Sequence, residues 1–537
     1  MKVFHDPFLS QHRSPFGAVK CGALVSLAAR CEADECVLIF CRDGEGAIRQ
    51  PMRRSGELWR TELRAPDEPG PVWYKFECPG YAEEEFRQIT VYKESALPEW
   101  YAGGIVYQIF PDRFFRGSDW MERRRAGAEK KTHTPRIFHE SWDDRPFYRK
   151  TGDNTVTHWD FFGGTLLGIE EKLDYLKSLG VTAIYLNPIF AASSNHRYDT
   201  SDYMHIDPAL GDNESFFSLA ASAEKKGMRL ILDGVFSHTG ADSVYFDKFG
   251  IYGGGACSGE GSKYYRWYDF KRFPGEYRCW WGEKELPELN ENEPGCREFL
   301  LDVVEKWLKA GAAGWRLDVA DELPDGFIEA VRARAEETRP DALILGEVWE
   351  DASNKISYGE RRRYILGNAL HAVMNYPFRE AAIDFMTGRA DAGVFAMKMM
   401  RMKANYPPGA FNGALNIIGS HDTARVLTEL NGDAEKLKML SFLQFTMAGV
   451  PCIYYGDEAG AEGETDPDNR APFPWGKENN EITEHYRSLA RLRENCPQLR
   501  YGDFYAEAEG EDRYVFRRGD LRFFADRKSG EFGPLEY

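Results

Sequence analysis

The sequence predicts an α/β protein built on a closed, parallel (β/α)8 barrel. Between about residues 105 and 497, eight short apolar runs alternate with segments of helical periodicity. None of the runs is strongly amphipathic, which is typical of parallel strands that are covered on both faces. An open, doubly wound sheet is the structural alternative, but such a sheet is expected to carry a glycine-rich phosphate loop after its first strand. No such loop follows the first run, so the barrel is favoured.

The eight candidate strands lie, in chain order, within VYQIFPDRF, TAIYLNPIF, RLILDGVFSH, AGWRLDVA, ALILGEVW, HAVMNY, ALNIIGSH and VPCIYYGDE. Helical spacing is clearest at 164–180, near 213–227 and near 482–496. Two long stretches interrupt the alternation: 116–161, which is polar and charged, and 239–292, which is rich in Gly, Tyr and Trp. Loops of this length in a compact domain usually carry function or form a small inserted domain.

Five segments are predicted along the chain. Residues 1–96 hold short β-type runs separated by Gly-, Asp- and Pro-bearing turns, which predicts a small N-terminal β-sandwich. The barrel is expected over 97–238 and 293–497, with an inserted domain at 239–292 after its third strand. Residues 498–537 contain a hairpin-like run and predict a short C-terminal β module.

Charge and composition disfavour several classes of partner. The net charge of −18 argues against nucleic acid and anionic membrane surfaces, which require basic patches. No apolar run approaches the roughly 20 residues of a membrane-spanning helix, and the first residues lack the apolar core of a signal peptide. The ten cysteines are scattered, and the five-residue spacing of Cys31, Cys36 and Cys41 matches no common zinc motif. We expect a cytoplasmic monomer or homodimer without a membrane or nucleic-acid partner.

Three acidic residues follow candidate strands: Asp318 in GWRLDVADE, Glu347 in LILGEVWE and Asp422 in NIIGSHDTAR. The carboxyl ends of barrel strands form the catalytic face, so the three carboxylates are expected to converge on one pocket. A lone acid at a strand end is more often a helix cap or a surface ion pair. Three at matching positions favour function, and paired carboxylates in one cleft are the groups that hydrolyse glycosidic bonds.

Five motifs carry a resemblance to a known family. DGVFSH (233–238), GWRLDVADE (314–322), GEVWE (346–350) and IGSHDT (418–423) resemble the four signature regions of glycoside hydrolase family 13, the α-amylase family. LPELN (286–290) resembles the additional region of its neopullulanase and cyclomaltodextrinase branch. The N-terminal sandwich is similar to the starch-binding modules of neopullulanases, although it is shorter.

The resemblance implies a role for each acid. Asp318 would be the nucleophile, Glu347 the general acid and base, and Asp422 the third carboxylate, which holds hydroxyls of the distorted sugar. Arg316 lies two residues from Asp318 on one strand face and is expected to keep that carboxylate charged. Desolvation beside Trp349 is expected to keep Glu347 protonated.

The same resemblance implies the substrate contacts. His238 and His421 would hydrogen-bond the sugar at the cleavage site, and Tyr198 would stack under its ring. Asp466 and Arg470, in DPDNR, would reach the sugars on the donor side. Arg316 is also expected among the substrate-binding residues.

Two tryptophans of the inserted segment are further candidates. Trp280 and Trp281 lie just before LPELN, beside Trp267 and Tyr268, and a small insert cannot easily bury all four. We expect at least one of Trp280 and Trp281 to line the sugar cleft, with packing against the barrel as the alternative.

Three positions bear on cofactors and specificity. Ser237 stands where many α-amylases carry a calcium-binding Asn, and a hydroxyl is a weaker ligand for a hard cation. We therefore expect no metal site, no required cofactor, and calcium only as a doubtful ligand. Asp321 stands where the similar branches usually have Asn or Lys, so contacts on the acceptor side are expected to differ. Asp233 resembles a supporting residue that does not touch substrate.

These features predict a retaining α-glucan hydrolase. It would cleave α-1,4 bonds in maltooligosaccharides, starch, pullulan or cyclodextrins through a covalent glucosyl–Asp318 intermediate. The sequence does not decide whether it also cleaves α-1,6 bonds. A transglycosylase or isomerase on the same scaffold is the first alternative. A non-catalytic glycan-binding relative is the second, and the presence of all three acids disfavours it.

Overall fold

The computed structural model describes residues 3–151 and 156–535. The first two and last two residues of the predicted terminal modules, and residues 152–155 of the first interruption, lie outside this part. Eight parallel strands form one sheet: β1 (Val106–Ile109), β2 (Ala183–Leu186), β3 (Arg229–Gly234), β4 (Gly314–Leu317), β5 (Leu343–Gly346), β6 (Ala372–Val373), β7 (Leu415–Ile417) and β8 (Val450–Tyr454).

The sheet closes as the predicted barrel. Its strand order is β6-β5-β4-β3-β2-β1-β8-β7, and a parallel bridge from Met374 to Leu415 joins the two edges. Nearly every strand residue is buried, which explains why no run is strongly amphipathic. Gly314 shows how closely the strands pack, because a Cβ there would lie 2.5 Å from the Leu343 carbonyl oxygen. The prediction of a (β/α)8 barrel is confirmed.

Helices surround the barrel, and one differs from the prediction. They are α1 (Trp120–Glu129), α2 (Leu166–Glu171), α3 (Leu173–Ser178), α4 (Asn213–Lys225), α5 (Pro294–Lys309), α6 (Asp325–Thr338), α7 (Tyr376–Thr387), α8 (Ala392–Asn405), α9 (Pro408–Gly413), α10 (Val426–Glu429), α11 (Ala434–Thr446), α12 (Asn480–Asn495) and α13 (Gln498–Tyr501). The single helix predicted over 164–180 is two helices, because Lys172 leaves the helical conformation at φ −103° and ψ 6°.

The N-terminal residues form the predicted β-sandwich, whose core includes Val25, Leu27, Tyr74 and Phe76. One sheet orders Arg13–Ser14, Leu24–Ala29, Leu58–Arg64 and Arg53–Ser55; the other orders Val19–Lys20, Arg87–Tyr92, Gly70–Cys78, Val37–Arg42 and Ile48–Pro51, with Tyr81–Ala82 beside Gly70–Cys78. Cys31 and Cys36 are buried in this module, Cys41 is half-buried, and all ten cysteines are free.

The C-terminal module is larger than the predicted hairpin. It is a four-stranded antiparallel sheet of Phe504–Ala508, Arg513–Arg518, Leu521–Asp526 and Glu531–Leu535. Its buried side chains, such as Tyr514 and Phe516, join the core of the barrel and its helices.

The two interruptions fold onto the catalytic face. The first contains α1 and a small sheet of Arg136–Phe138, Arg149–Lys150 and Val156–Phe161. The second contains the short hairpin Phe270–Arg272 and Glu276–Tyr277 and several 3₁₀ turns, including Trp280–Gly282. Two further hairpins, Phe190–Ala192 with Thr200–Ile206 and Ile356–Ser357 with Glu360–Arg361, extend the loops after β2 and β5.

Asp160 fixes the first interruption to the barrel. Its buried carboxylate accepts hydrogen bonds from Arg113 (2.9 Å), from Asn195 (2.8 Å) and from the backbone N–H of Phe147 (3.1 Å). The Nε2 atom of His139 lies 3.0 Å from Asp160 Oδ2. These contacts join the middle and the end of the interruption to Arg113, in the loop after β1, and to Asn195, in the loop after β2.

Candidate active site

A cleft of about 820 Å³ opens at the carboxyl ends of the barrel strands. Ten of the predicted site residues line it: Asp318, Glu347, Asp422, Tyr198, His238, His421, Asp466, Arg470, Trp280 and Trp281. The eleventh, Arg316, is fully buried beneath the acids. The structure thus brings together every residue that the sequence proposed for the site.

Two of the acids occupy equivalent places on neighbouring strands. Asp318 directly follows β4 and Glu347 directly follows β5, and these strands pair in parallel register from Gly314–Leu343 onward. Adjacent parallel strands that end together present the residues that follow them at one edge. Asp422 reaches the same cleft from the loop after β7.

One guanidinium links the acids. Arg316 Nη1 lies 2.7 Å from Asp233 Oδ1 and 2.6 Å from Asp318 Oδ1. Its Nη2 lies 2.8 Å from Glu347 Oε2. Three carboxylates therefore share one cation in a buried site. Full ionisation would leave two uncompensated negative charges, which like-charge repulsion disfavours.

Arg316 was expected to keep Asp318 charged, and burial opposes this effect. Burial raises the pKa of Asp318 well above its usual range, Arg316 opposes the rise, and the Glu347 carboxylate adds to it. Burial also raises the pKa of Asp233, again against the opposing effect of Arg316. Asp318 is therefore expected to ionise only above the pH at which an ordinary Asp ionises.

Glu347 is held by two further donors. The backbone N–H of Val319 donates to its Oε2 at 2.8 Å, and the indole of Trp349 donates to its Oε1 at 2.9 Å. Trp349 in turn stacks on Tyr376, with ring centroids 3.9 Å apart. The proximity of Trp349 agrees with the sequence expectation, whereas the Val319 N–H was not anticipated, because it depends on a left-handed backbone at φ 39°.

The hydrogen-bond network assigns a neutral tautomer to His421. The side-chain amide nitrogen of Gln108 faces His421 Nδ1 at 2.9 Å, so Nδ1 accepts and Nε2 carries the proton. Nε2 lies 2.6 Å from the Tyr198 hydroxyl and 3.2 Å from Asp422 Oδ2. Burial, with Arg470 and Arg316 nearby, lowers the pKa of His421 well below its usual range.

His238 lines the cleft as a buried imidazole. Its Nδ1 lies 2.9 Å from the Ser237 hydroxyl, and burial lowers its pKa to about 4. Its buried Nε2 meets no hydrogen-bond partner among the described residues. A buried polar atom that lacks a partner is costly, so this nitrogen is suited to a hydrogen bond with a bound ligand.

The same Ser237 was the basis for expecting no calcium. Its hydroxyl is engaged with His238, and no group of three or more His, Cys, Asp or Glu side chains within 3–151 and 156–535 has an arrangement suited to a metal ion. Calcium independence and the absence of a required cofactor remain predictions.

Tyr198 is held rigidly at the base of the cleft. Its hydroxyl donates to Asp233 Oδ2 at 2.9 Å and accepts from the Asn187 amide at 3.0 Å. Its ring is nearly parallel to that of His421, at an angle of 6°. Asp233 therefore supports both Tyr198 and Arg316, in agreement with the supporting role predicted for it.

Arg470 connects the third carboxylate to the predicted donor-side acid. Its guanidinium lies 3.1 Å from Asp466 Oδ1 and 3.8 Å from Asp422 Oδ1, and its Nε donates to the His421 carbonyl at 3.0 Å. The Tyr148 hydroxyl, from the first interruption, also donates to Asp466. Sequence reasoning did not identify Tyr148, since it is distant in sequence from every motif.

The four aromatic residues that the sequence analysis singled out in the inserted segment separate into two pairs. Trp267 and Tyr268 are buried in the core, whereas Trp280 and Trp281 stack at 5.0 Å on the cleft wall. Trp281 is 75% exposed and donates through its indole N–H to Glu322 at 3.1 Å.

Several residues of the wall were not predicted. The hydroxyl of Tyr358 donates to the same Glu322 oxygen at 2.6 Å, and Lys355 forms ion pairs with Asp321 and Glu350. All five line the cleft. Asp321 was noted as unusual, but no sequence pattern identifies Lys355 as its partner, because the two residues lie on loops after different strands.

Comparisons with known proteins agree with this geometry. The profile of the family described as "Alpha amylase, catalytic domain" matches residues 108–491. A cyclomaltodextrinase of Geobacillus thermopakistaniensis is 37% identical over 435 residues, which cover 79% of this chain and 68% of that protein. An amylopullulanase of Thermoanaerobacter thermohydrosulfuricus is 35% identical over an alignment of 609 residues, gaps included, which covers 96% of this chain.

The chain spans only 40% of the length of that amylopullulanase. Among solved structures, the cyclic alpha-maltosyl-(1→6)-maltose hydrolase of Arthrobacter globiformis superposes with a TM-score of 0.70 at 32% identity, covering 80% of this chain and 91% of that one. The family profile covers most of the chain and includes all three acids, so the protein belongs to the α-amylase family of glycoside hydrolases.

Proposed function

We propose that this protein is a retaining hydrolase of α-glucans, with Asp318 as nucleophile and Glu347 as general acid and base. The observation that carries the proposal is the position of both carboxylates in one cleft, in contact with one guanidinium. Inverting enzymes keep their carboxyl groups about 6.5–9.5 Å apart to admit a water, whereas retaining enzymes hold them about 5–5.5 Å apart. A shared guanidinium favours the shorter separation.

The first step forms the covalent intermediate. Asp318 attacks the anomeric carbon while Glu347 passes its proton to the glycosidic oxygen, so a carbon–Asp318 bond forms as the glycosidic bond breaks. In the second step Glu347 removes a proton from water, which displaces Asp318 and restores the original configuration. The first step requires an ionised Asp318 and a proton on Glu347, and the raised pKa of Asp318 means that its ionised form is reached only above the ordinary range of an Asp.

Neutral histidines suit the charge that develops on the sugar. The transition state carries positive charge at the anomeric centre, so a cationic imidazole beside it would be unfavourable. His421 and His238 both have depressed pKa values and can hydrogen-bond sugar hydroxyls without adding charge. Asp422 and Arg470 supply an acceptor and a donor for further hydroxyls on this side.

The leaving-group side of the cleft follows from the position of the acid. Glu347 must reach the glycosidic oxygen, and the loop that follows it carries Trp349, Glu350, Lys355 and Tyr358 along the cleft. The exposed aromatic rings of Trp281 and Tyr358 offer apolar faces to sugars there. These rings also favour the second candidate, a transglycosylase, because they could hold an acceptor sugar in place of water.

The substrates that we propose are maltooligosaccharides, starch, pullulan and cyclodextrins. Relatives named amylopullulanase and cyclomaltodextrinase support this class. Ten free cysteines fit a reducing compartment, and we propose a cytoplasmic protein, active as a monomer or homodimer without a cofactor. Within the described residues, no helix is both long and apolar enough to cross a bilayer.

The proposal is tested by following maltotriose, pullulan and β-cyclodextrin with ¹H NMR. The α-anomer is expected to appear first, and Asp318→Asn is expected to lower kcat by more than about a thousandfold, because Asn cannot form the ester. Asp302→Asn, which changes an exposed acid on α5, is the matched control and should keep full activity. Initial β-anomer, or near-normal turnover by Asp318→Asn, would contradict the proposal. Excess maltose distinguishes the transglycosylase, which would yield longer oligosaccharides instead of glucose.

The aromatic wall gives a second prediction. Trp281→Ala is expected to weaken transition-state binding of maltotriose by about 1–3 kcal/mol, through lost apolar contact with a sugar face. Trp281→Phe keeps an aromatic ring and should retain most of that binding. Equal kcat/KM for wild type and Trp281→Ala on maltotriose would show that this ring does not contact the substrate.

The raised pKa of Asp318 gives a pH prediction. Asp318 must be ionised to attack, and its pKa is raised, so kcat/KM falls as pH is lowered through a value above the ordinary Asp value. The acidic limb of kcat/KM on maltotriose is therefore expected clearly above about pH 4. An acidic limb at or below about pH 4 would show that Arg316 outweighs burial, as the sequence alone had suggested.

A further inference from the structure

The loop after β5 connects the cleft to the N-terminal sandwich. Its hairpin pairs Ile356 with Arg361 and Ser357 with Glu360. Lys355, Ser357 and Tyr358 line the cleft on the leaving-group side, whereas Arg361 points away toward the sandwich.

Arg361 is held by two residues of the sandwich. Its Nε donates to Asp43 Oδ2 at 2.5 Å and its Nη2 to Asp43 Oδ1 at 3.3 Å. The guanidinium also lies 5.3 Å from the ring centre of Trp73, whose indole N–H donates to Asp43 at 2.9 Å. We call Asp43, Trp73 and Arg361 the Asp43 clamp.

A second contact reaches the same loop. The Asn354 amide donates to Gln88 Oε1 at 2.6 Å, and Gln88 Nε2 donates to the Ser353 hydroxyl at 3.1 Å. Gln88 and Trp73 are opposite each other on paired strands, so their side chains share one face of the sheet. That face of the sandwich thus supports the loop at both Ser353–Asn354 and Arg361.

The clamp is connected directly to the residues of the wall. Arg361 Nη1 donates to the carbonyl of Asn354, next to Lys355, and the Lys355 carbonyl accepts from the N–H of Arg362 at 2.9 Å. Tyr358, at the hairpin tip, is 72% exposed and has a left-handed backbone at φ 51°. A strained, exposed tip keeps one conformation only when its surroundings fix it, and here the base of the hairpin supplies that restraint.

We propose that the N-terminal sandwich positions part of the active site: through Arg361, Asp43 holds the Lys355–Tyr358 wall in place for sugars on the leaving-group side. This inference rests on the proposed function. Asp43 and Arg361 are positioning residues, and they affect only substrates whose leaving group is itself an oligosaccharide. An isolated exposed ion pair contributes little, but a two-point Arg–carboxylate contact stacked on an indole is better ordered.

The experiment compares two substrates in Asp43→Asn. With maltohexaose, whose leaving group extends along the wall, KM is expected to rise about three- to tenfold with little change in kcat. With 4-nitrophenyl α-maltoside, whose leaving group ends close to Glu347, KM should stay unchanged. Glu57→Gln is the matched control, since it removes another exposed ion pair of the sandwich, with Arg30 at 3.1 Å, remote from the loop.

Hydrogen exchange separates failure of this inference from failure of the proposed function. Residues 353–361 should exchange faster in Asp43→Asn than in wild type or Glu57→Gln, whether or not either substrate is cleaved. Unchanged exchange, an unchanged KM for maltohexaose, or an equal rise in KM for both substrates would overturn the inference. If the wild type cleaves neither substrate, the proposed function fails, and with it the role of the clamp in binding sugars.

Discussion

The guanidinium of Arg316 lies between three carboxylates, and the rest of the site depends on that contact. Its Nη1 is within 2.7 Å of both Asp233 and Asp318, and its Nη2 is 2.8 Å from Glu347. Removing one partner of a buried ion pair costs about 3–5 kcal/mol, because the remaining charge is left uncompensated. Arg316 therefore links the acids, while burial and the nearby Glu347 carboxylate raise the pKa of Asp318.

The barrel provides rigid strand ends, and the cleft is completed by loops under strain. Three non-glycine residues of its wall have left-handed backbones: Val319, Trp281 and Tyr358, with φ of 39°, 46° and 51°. Such conformations cost about 1–3 kcal/mol each and persist only where surrounding contacts impose them. Val319 donates its N–H to Glu347, and Glu322 joins Trp281 to Tyr358. The strained residues thus lie beside Glu347 and on the part of the cleft wall that we propose to contact sugars.

Sequence reasoning was sufficient for the barrel, because its strands are mostly apolar on both faces, and for residues in motifs at strand ends, such as Asp318. It could not place Tyr358 or Asp43, because their roles depend on loop conformation and on how the sandwich packs against the barrel. It also gave an incomplete set of charged neighbours for Asp318. Pairwise spacing indicated Arg316 as its partner, but not that Asp233 and Glu347 share that cation. The sharing of one guanidinium by three carboxylates can be seen only in the structure.

Labelling with a 5-fluoro-α-glucosyl fluoride tests the central claim most directly. Fluoride leaves without help from an acid, so the reagent reports the nucleophile alone: the carbon–fluorine bond breaks as a carbon–oxygen bond to the enzyme forms. Mass spectrometry of the digested protein should find one glucosyl adduct, on Asp318, and none in Asp318→Asn. An adduct on Glu347 or Asp422, or turnover of the reagent with inversion and without an adduct, would contradict the account.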